Sequence, residues 1–200
     1  SCQVWELYKQ SEASAYNYAI KAFQLDESDH IVQMILGRVY IYRRQFDEAE
    51  YHIERSLELN SNDADALVQL ATCMAFLGRA AEGERLFKKA LRLNPYRNLW
   101  YYQYGSFTYF VQKKYKKTIE MALKRQIDKV WVDLPGEIAA SYAHLGESEL
   151  ARQYLYIFID EFTSSINKGK KANAGEIVAW LKQANPFRYK EDIDCYVDGL

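Results

Sequence analysis

Gly37, Ala71, Gly105 and Ala139 stand 34 residues apart, and each follows a bulky residue: Leu36, Leu70, Tyr104 or Ile138. A second series, Ala15, Ala49, Gly83 and Ala151, keeps the same period, with Lys117 out of pattern. Two registers of small residues per period imply two helices per unit, because a small side chain lets paired helices approach closely while its large neighbour fills the space between stacked units. The period therefore predicts an all-α chain, with helix pairs turning near Arg43–Arg44, Gly78, Gln112–Lys113 and Gly146.

Position by position this pattern resembles the tetratricopeptide repeat (TPR). His30 to Asp63 carries Leu36, Gly37 and Tyr40 on a first helix and Ala49, Ile53 and Ser56 on a second. Ala64 to Arg97 repeats it with Leu70, Ala71, Met74, Gly83, Phe87 and Ala90, and ends near Pro95; the unit from Trp131 or Val132 repeats it with Ile138, Ala139, Tyr142, Ala151, Leu155 and Phe158. In residues 98–131 Tyr104 and Gly105 keep the frame, but Tyr115 and Thr118 fit only with one residue inserted between the helices, so a locally altered pair is expected there. The resemblance implies a TPR superhelix, an α-solenoid of four to five units (near 1–29, 30–63, 64–97, 98–131 and 132–166), acting as a binding scaffold.

Ser14 to Asp29 matches Glu48 to Asp63 and reads as the second helix of a further unit, leaving Ser1 to Gln10 for its partner; so abrupt a start suggests a fragment of a longer chain. Residues 167–200 read as capping helices. A helical stretch from Ala174 to Ala184 is followed by the breaker Asn185-Pro186-Phe187 and by Ile193, Tyr196, Val197 and Leu200 at i, i+3, i+4, i+7. So short a helix is marginal alone. It is expected to dock near Tyr154 and Phe158, with Trp180 and Phe187 in the same cluster.

The succession Leu91-Arg92-Leu93-Asn94-Pro95-Tyr96, Leu99-Trp100-Tyr101, Ala139 to Gly146, Asn185-Pro186-Phe187-Arg188 and Val197-Asp198-Gly199-Leu200 also resembles the TPR region C-terminal to bacterial class III adenylate/guanylate cyclase domains, and similar regions that follow winged-helix domains. That likeness implies a regulatory segment of a larger bacterial signalling protein. It brings no catalytic residue, since a cyclase domain would lie upstream of Ser1.

Little in the chain announces chemistry. His30, His52 and His144 form no H-E-x-x-H, and Cys2, Cys73 and Cys195 form no C-x-x-C, so neither metal nor cofactor is expected. Unpaired cysteines and the absence of a signal peptide or a long apolar run point to a cytoplasmic protein without a membrane segment. Gly78 to Gly83 has phosphate-loop glycine spacing but continues Glu84-Arg85 where Lys-Ser/Thr is required. No serine lies in G-x-S-x-G, and the carboxylate pairs Glu147/Glu149 and Asp192/Asp194 sit at helix starts, where they suit the dipole. The segment is expected not to be an enzyme.

Charge is uneven: net −6 over residues 1–83, +9 over 84–130 and −4 over 131–200. Lys113, Lys117 and Lys124 fall on one stripe opposite Tyr115, Ile119, Ala122 and Leu123, which predicts a solvent-facing basic surface on the convex side. An acidic partner, or nucleic acid bound through 84–130 of a transcriptional regulator, is the alternative reading, although a pI near 6.3 is low for a dedicated nucleic-acid binder. TPR ligand-facing positions map onto Met34, Arg38, Ile41 and Tyr42, then Val68, Thr72, Ala75 and Phe76, then Tyr102, Ser106, Tyr109 and Phe110. The resemblance thus implies an aromatic and apolar groove. It lacks the lysine and asparagine clamp with which chaperone-binding TPRs hold a carboxylate, so the expected partner is an apolar or amphipathic protein segment, or another domain of the same chain.

Overall fold

The computed structural model describes residues 2–124 and 132–200, with side chains from Gln10 onward. The Cys2 side chain, Trp131 and the 125–130 end of the basic stretch lie outside the described residues. The described residues are helical and contain no strand. They form two compact units, one of Ser1–Arg97 with Pro186–Arg188, the other of Asn98–Asn185 with Tyr189–Leu200.

The first unit holds α1 (Cys2–Leu25), α2 (His30–Tyr42), α3 (Phe46–Leu59), α4 (Ala64–Phe76) and α5 (Ala80–Leu93). α1 runs unbroken, so the separate partner helix expected from Ser1 to Gln10 is not formed. Asp29 and Asp63, 34 residues apart, start α2 and α4 alike: Asp29 accepts the Ile31 N–H at 2.7 Å, and Asp63 the Ala66 N–H at 3.0 Å. Each satisfies a donor that a helix start otherwise leaves orphaned. α2 packs on α3 and α4 on α5 around Leu36, Ile53, Leu67, Leu70, Met74 and Phe87, all buried; each such side chain contributes about 1.5–3 kcal/mol by leaving water. A Cβ on Gly37 would stand 2.6 Å from Ile53 Cγ1 and 3.3 Å from the Ala49 carbonyl oxygen, which is why this position is small.

The second unit holds α6 (Trp100–Val111), α7 (Tyr115–Leu123), α8 (Leu134–His144), α9 (Ser148–Glu161), a π-helical turn (Phe162–Ile166), α10 (Ala174–Ala184) and α11 (Lys190–Asp198). Pro135 sits in the first turn of α8, where its missing N–H is no loss. α10 begins with a reciprocal box, Asn173 accepting the Glu176 N–H at 3.0 Å and Glu176 the Asn173 N–H at 3.1 Å. Ala122, Leu134 and Ile138 form a buried cluster with Tyr142 and Tyr154 against it.

The turns inside the pairs α2/α3, α4/α5, α6/α7 and α8/α9 share one backbone. The second turn residue has φ of 58° at Arg44, 79° at Gly78, 58° at Lys113 and 81° at Gly146. The next residue's N–H then reaches back to the carbonyl of Tyr40, Met74, Tyr109 or Tyr142. The glycine-free turn at Gln112–Lys113 is therefore regular, with no residue inserted between α6 and α7. Counted back three residues from those acceptors, the close-approach positions are Gly37, Ala71, Ser106 and Ala139. Ser106, not Gly105, keeps the structural frame, and the extra residue lies ahead of it in the chain instead of between the helices.

Candidate interaction surfaces

In the second unit α6 and α8 pack together, and α11 lies against α8. Tyr196 anchors it: the ring is 1% exposed, 5.1 Å from Phe110, and its hydroxyl donates to the Asp133 carbonyl at 2.9 Å. Gly136 makes room for that hydroxyl and for Phe158, since a Cβ there would lie 3.0 Å from Tyr196 Oη and 3.3 Å from the Phe158 ring. Gly199 makes room on the other side, where a Cβ would come within 2.9 Å of the Ala140 Cα. His144 Nε2 lies 2.8 Å from the Cys195 carbonyl, its ring stacks on Tyr115 at 4.6 Å, and the Tyr115 hydroxyl stands 3.4 Å from Cys195 Sγ. Trp180 meets Phe158 at 6.4 Å, and also Phe162 at 5.4 Å, but is half-buried instead of buried. Phe187 does not join that cluster: it packs on Phe76 in the first unit, 5.2 Å between centroids.

The groove positions of α6 fall around this helix and α7. Phe110 lies under α11, and Ser106 is buried with its hydroxyl donating to the Gln103 carbonyl at 2.8 Å. Tyr109 is 6% exposed beneath the Lys117 ammonium at 5.4 Å, and Tyr102 lies beneath Lys124 at 5.5 Å. The two sets of residues read separately in the sequence thus meet, each cation held over a ring face that attracts it. Lys124 also pairs with Glu120 at 2.9 Å. Lys113 is exposed in the left-handed turn, outside the α7 stripe, and its charge acts on Asp192 of α11.

Electrostatics beneath α11 are unusual. Burial pushes the Glu137 carboxyl well above the ordinary carboxylate range; the Ser106 hydroxyl draws it partly back, and the Asp133 charge raises it further. Glu137 Oε1 and Gln103 Oε1 are both buried without a hydrogen-bond partner. An oxygen buried without a donor makes the charged form costly, which is why burial outweighs the Ser106 hydroxyl.

In the first unit Met34 is buried, Arg38 donates to Gln69, and Tyr42 packs on Phe76 at 6.4 Å. Ile41, Val68 and Ala75 are core, and Thr72 is half-buried. Phe76 ends α4 inside a contact the sequence reading missed. Its carbonyl accepts the Arg188 N–H at 2.8 Å, its ring meets Phe187, and the Arg188 guanidinium reaches Asp47 at 2.8 Å and Glu50 at 3.1 Å. Asn185-Pro186-Phe187 was legible as a helix breaker, with Phe187 expected beside Trp180 and nothing expected of Arg188. The acidic start of α3, 138 to 141 residues earlier, was the one available signal for what Arg188 meets.

Among the described residues no cluster of three or more His, Cys, Asp or Glu could hold a metal. Burial pushes the Cys73 thiol up to about 12, which makes it inert core. Among the described residues no helix is long and apolar enough to cross a membrane.

No family model matches the chain. The RNA polymerase-associated protein CTR9 of Caenorhabditis elegans is 26% identical over 194 residues, covering 82% of this chain and 16% of that protein, so the chain spans about one sixth of its curated relative. The solved structure of Pseudomonas aeruginosa pilF aligns with a TM-score of 0.60 at 18% identity, covering 95% of this chain and 83% of that one. At such identity the likeness is one of fold: all-α, built from helix pairs of the tetratricopeptide type.

Proposed function

We propose that the chain is a non-catalytic protein-interaction module whose α6/α8 face takes a short amphipathic helix. The observation that carries this reading is α11 itself, a nine-residue helix seated on that face through a buried aromatic anchor. Helices so short gain their order from what they pack on, so the face supplies the binding free energy and α11 stands in for a partner segment, capping residues 132–166 until displaced. A partner helix needs an aromatic at the Tyr196 position, a small residue where Gly199 approaches Ala140, and acidic residues toward Lys113.

The resemblance to cyclase-associated repeat regions supports a place as a regulatory segment of a larger signalling protein. The name of CTR9, an RNA polymerase-associated protein, favours a transcription-linked assembly instead. On either reading the module is one part of a longer chain and acts by recruiting proteins.

The test uses the full chain carrying Gly199→Leu, which obstructs α11 without altering the face. A labelled peptide spanning residues 189–200 should bind this variant about tenfold tighter than the parent, whose own helix competes intramolecularly. Phe110→Ala in the same background should abolish binding. Equal affinity for parent and variant, or binding indifferent to Phe110→Ala, would refute the reading.

A further inference from the structure

The seat on α3 and α4 is built differently from the α11 face and stands independently of it. Three kinds of recognition converge there on two consecutive residues. The Phe187 ring is buried against Phe76, the Arg188 backbone N–H is fixed by the Phe76 carbonyl at 2.8 Å, and the guanidinium spans two carboxylates, Asp47 at 2.8 Å and Glu50 at 3.1 Å. Glu50 is itself held in place, because its other oxygen pairs with Arg79 at 2.5 Å and Arg79 is fastened in turn to Glu54 and Glu82, both at 2.8 Å. A guanidinium bound at two oxygens has directional as well as electrostatic specificity. Combined with an aromatic slot and a main-chain bond, this is how short peptide segments are read.

We propose that Asp47, Glu50 and Phe76 form a recognition site for a partner-protein segment in which phenylalanine is followed by arginine, with Pro186–Arg188 as its resident occupant. The chemistry of the partner follows from the occupant and from charge. Residues 1–83 carry a net −6, and the Asp47 side chain is 86% exposed, so a basic segment is drawn to the seat and can reach its acidic wall before the resident leaves. Proline ahead of the aromatic restricts the backbone of the free segment and lowers the entropy lost on docking.

The test vacates the seat in the full chain with Phe187→Ala and Arg188→Ala, which leaves its walls intact. A labelled hexapeptide Ala-Asn-Pro-Phe-Arg-Tyr, the sequence of residues 184–189, is then titrated by fluorescence anisotropy. Saturable binding about tenfold tighter than to the parent chain is expected, since the parent's segment competes at the effective concentration of an intramolecular ligand. Asp47→Arg in the vacated chain should weaken that binding about tenfold and strengthen binding of a peptide with glutamate in place of arginine. Absence of saturable binding to a variant that keeps its helical circular dichroism would overturn the proposal, as would binding indifferent to Asp47→Arg. Concentration-dependent dimerisation of the parent, lost in the vacated variant, would overturn it in favour of exchange between copies. Should the double variant lose helicity, Arg188→Ala alone frees the acidic wall, and peptide binding tighter than to the parent and weakened by Asp47→Arg is the expected result, its absence overturning the proposal.

Discussion

Arg44 and Lys113 hold a backbone conformation that opposes any side chain with a Cβ, while Gly78 and Gly146 adopt it freely at equivalent places. Arg44→Gly and Lys113→Gly should each raise stability in urea unfolding by about 0.5–1 kcal/mol, the relief of strain exceeding the entropy glycine adds to the unfolded chain. Gly146→Ala should lower it by about 1 kcal/mol; a Cβ there meets nothing within 4 Å, so the effect is backbone strain alone. Such positions were only half legible. Glycine announces a left-handed turn, whereas arginine and lysine do not, and Arg44 and Lys113 were placed by the period. Glu137 was not legible at all, because a glutamate among Pro135, Gly136 and Ile138 looks like a surface residue until α6 and α11 cover it. Its raised carboxyl contributes stability that is present below the ordinary glutamate value near 4.5 and is lost as pH rises through the folded value. Glu137→Gln should remove that loss and raise the melting temperature at neutral pH; an unchanged pH profile of unfolding would refute the assignment.

At the scale of elements, the sequence placed α10 and α11 well because caps and apolar stripes are local signals. Which neighbour each would meet was less accessible. The α11 stripe identifies an apolar face but not α8 as its host, and the spacing of Lys117 and Lys124 says nothing of Tyr109 and Tyr102 opposite them. Tyr196→Ala should cost about 3–5 kcal/mol in the stability of the second unit, the range for removing a fully buried aromatic side chain. Tyr196→Phe should cost only about 1 kcal/mol for the hydroxyl's bond to Asp133. The ratio separates packing from hydrogen bonding, and dye binding should rise only in the alanine variant as α11 loosens.

For the molecule as a whole, the two units carry opposite proton linkage. Burial holds the His52 imidazole below its ordinary value of 6.5. Its ring sits 5.3 Å from Tyr40, and its Nδ1–H donates to Gln33 Oε1 at 2.7 Å. Because the unfolded chain takes up the proton more readily, the stability this confers is present above pH 6.5 and falls as pH drops toward the depressed folded value. Hydrogen exchange resolved by segment should therefore show the first unit losing protection on acidification and the second on alkalinisation. The fold class was legible throughout, since a 34-residue period leaves few alternatives; the seat for Phe187 and Arg188 was not, because it joins residues far apart in the chain without repetition. The period also conceals an arithmetic of its own. The turn acceptors Tyr40, Met74, Tyr109 and Tyr142 are spaced 34, 35 and 33 residues apart, so one gained residue is cancelled by one lost. Length changes here are tolerated in compensating pairs. An engineer grafting a consensus repeat into residues 98–131 must cut at the turns, because a splice measured by the average period would seat every side chain of α7 one position out of phase.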